Sequence, residues 1–599
     1  MTYDLPSTLQ NGGAMKTMIR KKRVAVIGAG VSGLAAIQQL VEAFDRDEVK
    51  GKLELDLVVF ESKNEVGGVW LTDDRPKKSI RTHLPGQNTS SQAEEVYSYP
   101  PEWENPSPMY QGLRTNLAHD LMSFRGFPFP DNTPLFPDQP RVQAYLEGFA
   151  DRYNLRQHIR FNTRVERVYL TPNHEQDQCA AEGTGQATRR WTIESASAVP
   201  GAVDQATWLK NKEEFDYVCV SNGHYSDGWI PTTPGLSSYP GRLIHSRFFL
   251  KAEEFKGKSV LVVGSFASGG DISRLIASLN IDQFSPDGQP LNGHPKDGFT
   301  RVWVSSSGTT AHSASSDGPW AKYIKNVPLI SHFDPPSAEH PRGLIHFQSP
   351  AAAESGSDSE KVEPLDAPEV IIYATGYNFL YPFFKATDAP WDKHKLVDGA
   401  VREGEREKGD QWEVGGVKGQ GMRGLDDLML FLEGDRTMAF PVLAYQVVPF
   451  PLAQVQARLF SLLWADLLPS FPQHPSLPHN PSNPFSQPTA DEVGNETRTA
   501  AEEPFNTSSD PVASAPEAAK QGNPRSKGNG DKPRKVMEKM KALVFGHPYE
   551  WTYSEFLMSL MAEADKGRAG DIEEHWKKIE DWRIARREDP TLRKRTLGY

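Results

Sequence analysis

A short apolar run followed at once by three spaced glycines constrains this chain more than any other feature in it. Val24-Ala25-Val26-Ile27 reads as a buried strand, Gly28-Ala29-Gly30-Val31-Ser32-Gly33 as a turn, and Leu34-Ala35-Ala36-Ile37-Gln38-Gln39-Leu40 as the helix that leaves it. In such a G-x-G-x-x-G turn the first glycine makes the tight bend, the second lets backbone approach a pyrophosphate, and the third lets helix pack closely on strand. The pyrophosphate then rests on amide donors at the positive helix end, so Gly28, Ala29, Gly30, Ser32 and Gly33 are the expected contacts. Leu55-Asp56-Leu57-Val58-Val59-Phe60 supplies a second strand, and Glu61 stands at its end, the place of a ribose-binding acid. Glu61 falls beyond the usual ~20-residue spacing, and the polar stretch Asp45 to Lys52 takes up the excess. A ligand-free glycine turn is the bland alternative. The complete βαβ context argues for an adenosine-containing dinucleotide instead.

The same grammar recurs further on. Val262-Val263-Gly264-Ser265-Phe266-Ala267-Ser268-Gly269-Gly270-Asp271 is again strand, turn and helix, with Phe266 in the middle glycine slot, where backbone approach is harder. Gly264, Ser268, Gly269 and Asp271 are the expected cofactor contacts of this second site. Two dinucleotide sites on one chain are the arrangement by which pyridine-nucleotide flavoproteins move electrons. The expected class is therefore α/β, with two Rossmann-like dinucleotide-binding domains, the first of them discontinuous.

From Arg23 to about Leu468 the residues resemble the flavin-containing monooxygenases. Glu61-Ser62-Lys63-Asn64-Glu65-Val66-Gly67-Gly68-Val69-Trp70 looks like that family's acid and its GG-x-W segment. Leu113-Arg114-Thr115-Asn116 is similar to its flavin-facing stretch, and Ala374-Thr375-Gly376-Tyr377 to the strand end that returns the chain to the first domain. Val220-Ser221-Asn222-Gly223-His224-Tyr225 resembles its hinge. The identifying F-x-G-x-x-x-H-x-x-x-[YF] pattern is met by Tyr239, Gly241, His245 and Phe249, with Tyr for the first Phe. Asn222 and His245 read as structural or cofactor-positioning groups rather than catalytic ones. The resemblance implies FAD held by the first site, with Gly68, Val69, Trp70, Thr115, Asn116, Thr375 and Gly376 added to its contacts, and NADPH held by the second. NADPH rests on the resemblance, because the expected reader of its phosphate, the end of the second strand, is Ser305-Ser306-Ser307.

The resemblance further implies that reduced flavin and O2 form a C4a-hydroperoxide that oxygenates a soft nucleophilic nitrogen or sulfur, the reaction of an N,N-dimethylaniline monooxygenase. No protein nucleophile is then needed, and none is suggested by a G-x-S-x-G motif. Baeyer-Villiger relatives carry Trp-Pro where this chain has Phe249-Leu250, which favours heteroatom oxygenation. Asn116 is the expected catalytic residue, because an amide donates and accepts hydrogen bonds without titrating; a turn Asn is the alternative. Rival readings are a Baeyer-Villiger enzyme, an amine oxidase, a disulfide reductase, disfavoured by the absence of a CxxC pair, or a non-enzymatic dinucleotide-fold binding protein.

Charge and composition narrow the partners. A net charge of −12 disfavours nucleic acid and anionic lipid, and two cysteines, Cys179 and Cys219, are too few for a disulfide framework. No run approaches the ~20 apolar residues of a membrane span, and the apolar stretch around Leu459 to Leu468 reads as a buried or amphipathic helix. A cytoplasmic protein without a metal, acting with O2 on a small nucleophile, is expected. The expected organisation is a flexible arm over 1–21, an FAD-binding part over 22–222, an NADPH-binding domain over 223–373 and a return segment over 374–468. A Pro/Ser/Asn-rich stretch over 469–534 is expected to be disordered, and an aromatic helical segment over 535–599 to dock on the core.

Overall fold

A computed structural model describes residues 19–72, 107–171, 191–198, 208–291, 298–307, 318–348, 362–398, 417–475 apart from 420, 477–478, 543–566, 576–589 and 591–597. Strand β1 (Arg20–Ile27) begins earlier than its apolar run suggests, inside the segment expected to be an arm. The reason is Lys22, whose buried ammonium is bonded to the Trp464 carbonyl and the Asp466 carboxylate, both at 2.7 Å. Helix α1 (Val31–Phe44) comes next, then β2 (Leu53–Phe60), parallel to β1 with Ile27 opposite Phe60. Helix α2 (Gln139–Arg152) leads to β3 (Ile159–Arg160), and β4 (Tyr217–Val220) then pairs with the other edge of β1.

The chain next builds a second sheet from β5 (Arg242–His245), β6 (Ser259–Val263), β7 (Arg301–Ser305), β8 (Ile324–Val327) and a later strand. Helix α3 (Ala267–Ala277) leaves the end of β6 and lies between it and β7 in the chain. A hairpin of β9 (Ile330–Phe333) and β10 (Leu344–Phe347) precedes the last strand of this sheet, β11 (Val370–Tyr373). Order in this parallel sheet is β8-β7-β6-β11-β5. The chain then returns to the first sheet through β12 (Phe431–Leu432) and β13 (Asp435–Ala439), completing the order β12-β13-β4-β1-β2-β3. The fold is thus α/β with two nucleotide-type sheets. The central strands are apolar almost throughout because both faces of a parallel sheet are covered by other layers.

One face of the first sheet is closed by α1 and α4 (Pro449–Trp464), a helix buried nearly all round, with Phe450, Leu459, Phe460, Leu462 and Trp464 in the core. A helix apolar on every side belongs in an interior, and each such large side chain adds roughly 1.5–3 kcal/mol when fully buried. Helices α5 (Tyr549–Met561), α6 (Asp581–Glu588) and α7 (Leu592–Leu597) lie over this layer. Tyr549, Trp551, Tyr553, Leu557 and Trp576 join the same core. Among the described residues no helix is long and apolar enough to cross a membrane. Of 469–534, only 469–475 and 477–478 are described, so the expectation of disorder there concerns residues outside those described.

Asp565 fastens the C-terminal segment to both helices beneath it. Its carboxylate takes two bonds from Arg458 on α4, at 2.9 and 3.0 Å, and one from Arg46, just beyond α1, at 3.2 Å; all three side chains are at most 10% exposed. Removing one member of a buried ionic cluster leaves the others uncompensated at a cost of about 3–5 kcal/mol. Asp565→Ala is expected to lower stability by about that amount in denaturant titration, more than Asp565→Asn, which keeps an acceptor for each arginine.

Candidate functional site: two glycine turns and the segment between them

In the first turn, Gly28 has φ +98°, and a Cβ there would come within 2.5 Å of the Ser221 carbonyl oxygen on the neighbouring strand end. A Cβ on Gly33 would overlap the Gly28 carbonyl oxygen, so α1 reaches β1 only because both residues are glycine. Gly30 and Gly68 meet back to back, with a Cβ on Gly68 falling 3.0 Å from the Gly30 Cα. Helix α1 starts at Gly30 with no side-chain cap and no acid in its first turn, leaving its positive end to a ligand. Ser32, Gly68, Val69 and Trp70 are half-buried around this end.

Glu61 is buried and accepts bonds from the amides of Ala29, at 2.7 Å, and Lys63, at 2.8 Å. Burial raises its pKa against those bonds. The acid therefore ties the end of β2 to the glycine turn. The Val69 carbonyl accepts from Ser107 Oγ and the Trp70 carbonyl from Gln139 Nε2, while Lys63 Nζ donates to the Gly68 carbonyl at 2.7 Å. The GG-x-W segment is held by side chains of which two, Ser107 and Gln139, belong to no motif.

The second turn repeats the first almost contact for contact. Gly264 has φ +101°, a Cβ on it would lie 2.5 Å from the Ala374 carbonyl oxygen, and a Cβ on Gly269 would overlap the Gly264 carbonyl oxygen. Phe266 takes the place of Gly30 and is 46% exposed. Ser268 is half-buried in the first turn of α3. Asp271 has its carboxylate engaged by Tyr110 Oη at 2.8 Å and Arg274 at 2.6 Å, with Arg593 of α7 at 3.9 Å.

Tyr110 opens the segment that joins the two sites. Its ring packs edge-on against Phe249 at 5.4 Å, and the Gln111 amide donates to the Leu250 carbonyl. A few residues on, the Thr115 amide donates to the Pro137 carbonyl at 3.0 Å and Thr115 Oγ1 to the Leu117 carbonyl at 2.8 Å. Pro137 precedes Asp138 and Gln139, the start of α2 that also holds Trp70. Thr115 is buried and Asn116 beside it is exposed. The structure thus carries Asn116 on a segment anchored to the second unit at one end and, at the other, to Pro137 just before α2.

Thr375 and Gly376 hold backbone. Thr375 Oγ1 donates to the Trp229 carbonyl, and the Gly376 carbonyl accepts from the Trp229 amide and from His245 Nε2, each at 2.9 Å. Asn222 Nδ2 likewise donates to the Leu380 carbonyl at 2.9 Å. Tyr239 is buried with its hydroxyl on the Pro368 carbonyl, and Phe249 is core. The identifying pattern therefore marks the packing of the hinge.

Residues 26–107 match the model of an NAD(P)-binding Rossmann-like domain, and residues 95–284 match that of the flavin-binding monooxygenase-like family. The chain is thus similar to the flavin-containing monooxygenase family. It is 28% identical over 381 residues to flavin-containing monooxygenase FMO GS-OX5 of Arabidopsis thaliana, covering 61% of this chain and 63% of that protein. With FMO GS-OX-like 4 of the same plant it shares 33% over 269 residues, 44% of this chain and 50% of the relative. The chain thus spans less than two thirds of the length of these curated relatives. The solved S-allyl-L-cysteine S-oxygenase of Allium sativum has the same fold, at a TM-score of 0.56 and 19% identity over 96% of this chain and 94% of that one.

Likeness to the flavin-containing monooxygenases implies FAD and NADPH as cofactors, and the two turns fit them. The Gly30 and Gly68 contact is a cradle that any side chain would fill, as FAD pyrophosphate requires. The Phe266 turn keeps the bend and the helix contact but offers an exposed side chain at the approach point.

Burial pushes two histidines of the hinge, His245 and His224, down to about 4 from the ordinary 6.5. His245 is fully buried, its Nδ1 accepting from the Arg247 amide at 3.1 Å. A depressed histidine is neutral when folded, so the unfolded chain binds more protons between pH 6.5 and 4, and stability is lost as pH falls through that window. Each group accounts for up to about 3 kcal/mol at the acid end. Melting temperature against pH is expected to fall in this range, with a shallower slope for His224→Phe, whose ring retains the packing against Tyr225 and Phe379.

Proposed function

We propose that the chain oxygenates a soft nucleophilic sulfur or nitrogen, consuming NADPH and O2, with FAD as the resident cofactor. The observation that carries this reading is the pair of matching glycine turns bridged by the Tyr110 to Asn116 segment, which lets a fixed and an exchangeable dinucleotide share one reaction space. Sulfur is the first nucleophile to test, because the S-oxygenase of Allium sativum shares the fold over nearly the whole chain.

Bound FAD, reduced by NADPH, supplies the activation of O2. The protein holds and orients. Gly28, Ala29, Gly30, Ser32 and Gly33 present backbone to the pyrophosphate at the end of α1. Glu61 fixes the turn through the Ala29 amide and is the acid that would meet the ribose. Gly68, Val69 and Trp70, steadied by Lys63, Ser107 and Gln139, form the opposite wall. Gly264, Ser268 and Gly269 seat NADPH, and Asp271 positions α3 against Tyr110. Thr375 and Gly376 act through the hinge strand.

Asn116 is the proposed catalytic residue. Its amide carries both donor and acceptor and releases no proton, so it steadies the oxygen-bearing arrangement without discharging it as H2O2. Preorganised donors of this kind are worth on the order of a hundredfold in the step they serve. Asn116→Ala is expected to retain FAD and to oxidise NADPH, while product per NADPH falls about a hundredfold and H2O2 rises. Unchanged coupling would make Asn116 a turn residue only.

The second measurement separates heteroatom from ketone chemistry. Phe249 and Leu250 replace the Trp-Pro of Baeyer-Villiger relatives, and here Phe249 is packed in the core while the Leu250 carbonyl receives Gln111. A thioether is expected to yield sulfoxide with NADPH consumed, and cyclohexanone to yield no lactone. Efficient lactone formation would overturn this assignment.

A further inference from the structure

Away from both glycine turns, the β9 and β10 hairpin gathers three metal-binding side chains. His332 on β9 and His346 on β10 are direct cross-strand partners, and their rings stack at 4.2 Å, 3° from parallel. Asp334 lies just beyond β9 and reaches both: its carboxylate is 2.7 Å from His346 Nε2 and 3.8 Å from His332 Nε2. The donor atoms of all three lie within 4.8 Å of one another, and all three residues are half-buried. Neighbouring groups already aim the ligands. Ser331 Oγ is 3.2 Å from His332 Nδ1, which leaves the other ring nitrogen for the cluster.

We infer that His332, Asp334 and His346 form a binding site for a divalent transition cation of the zinc type, independent of the flavin chemistry. Ligand atoms around tetrahedral zinc, at about 2.0–2.1 Å from the metal, stand roughly 3.3 Å apart, and the two carboxylate-to-imidazole distances here fall on either side of that value. Two imidazoles and one carboxylate suit zinc, with water completing the fourth position. The harder calcium and magnesium ions ask for more oxygen ligands than the three residues offer. Binding replaces the hydrogen bond between His346 and Asp334: the Nε2 lone pair goes to the metal, and the proton it carried passes to Nδ1 or to solvent. Antiparallel geometry explains why the pair forms at all, since side chains directly opposite one another on a hairpin stand within contact distance.

A cation there clasps the two strands of the hairpin. β9 is itself seated against the entrance to the second unit, where the Phe333 amide donates to the Pro234 carbonyl and a Cβ on Gly235 would overlap the Phe333 carbonyl oxygen. The clasp therefore stiffens the strand on which that entrance rests.

The test uses the flavin-loaded full chain, treated with EDTA and dialysed against zinc chloride in competition with a weak chelator. The wild type is expected to retain about one zinc more per chain than the His332→Ala/His346→Ala double variant. Asp334→Asn should weaken that equivalent by at least the roughly tenfold that loss of an outer partner costs. Equal FAD per chain in all three proteins shows that the fold is intact, and zinc should raise the melting temperature of the wild type more than that of the double variant. Equal zinc in wild type and double variant, or none retained by the wild type, overturns the site.

Discussion

Everything in the first unit depends on how closely α1 approaches β1. Where Gly33 faces the Gly28 carbonyl there is no room for a Cβ, and where Gly28 turns beneath Ser221 there is none either. A methyl group at either point would lift the helix from the strand, and the amides at its start would no longer point where a pyrophosphate sits. Glu61 reinforces the same point by binding the Ala29 amide from the end of β2. Because Gly264 and Gly269 repeat the contact against Ala374, the second unit depends on the same constraint. At the approach point the two turns differ, with exposed Phe266 where the first has Gly30.

That constraint is also why so much of the fold is readable from residue order. Glycines in a turn leave a spacing in sequence, apolar strands leave runs, and the helix after them leaves a period, so both βαβ units and the α/β class are legible in the chain itself. The start of β1 is not, because Arg20 to Arg23 are basic; the Lys22 ammonium is bonded by partners more than 440 positions away. The site is legible in the same proportion. Turn glycines carry local signals, whereas Ser107 and Gln139 matter through bonds to distant segments, and nothing in their own neighbourhoods announces it.

Asp271 shows how a motif position can carry a different role. Its place near the start of the helix after the second glycine bend suggests a contact with the cofactor. In the structure its carboxylate joins Tyr110 from the first unit to Arg274 of its own helix, with Arg593 of the last helix close by. The hinge residues behave the same way: Thr375 and Gly376 bond Trp229 of the crossing segment, and His245 bonds the Gly376 carbonyl and the Arg247 amide. What marks the family as a signature is, in this chain, mostly the joinery between two nucleotide sites.

The order of strands in the first sheet bears on how the chain is made. β1 lies between β2 and β4, but the sheet closes only with β13 near residue 439, and its covering layer only with α5 near residue 561. On a ribosome, which releases the amino terminus first, the opening strands emerge long before their last partners exist. The second sheet, whose strands all lie between Arg242 and Tyr373, is complete much sooner. During synthesis the inserted unit is therefore the first finished body, and the surrounding unit must keep its apolar strands from other chains until the polypeptide comes back to it.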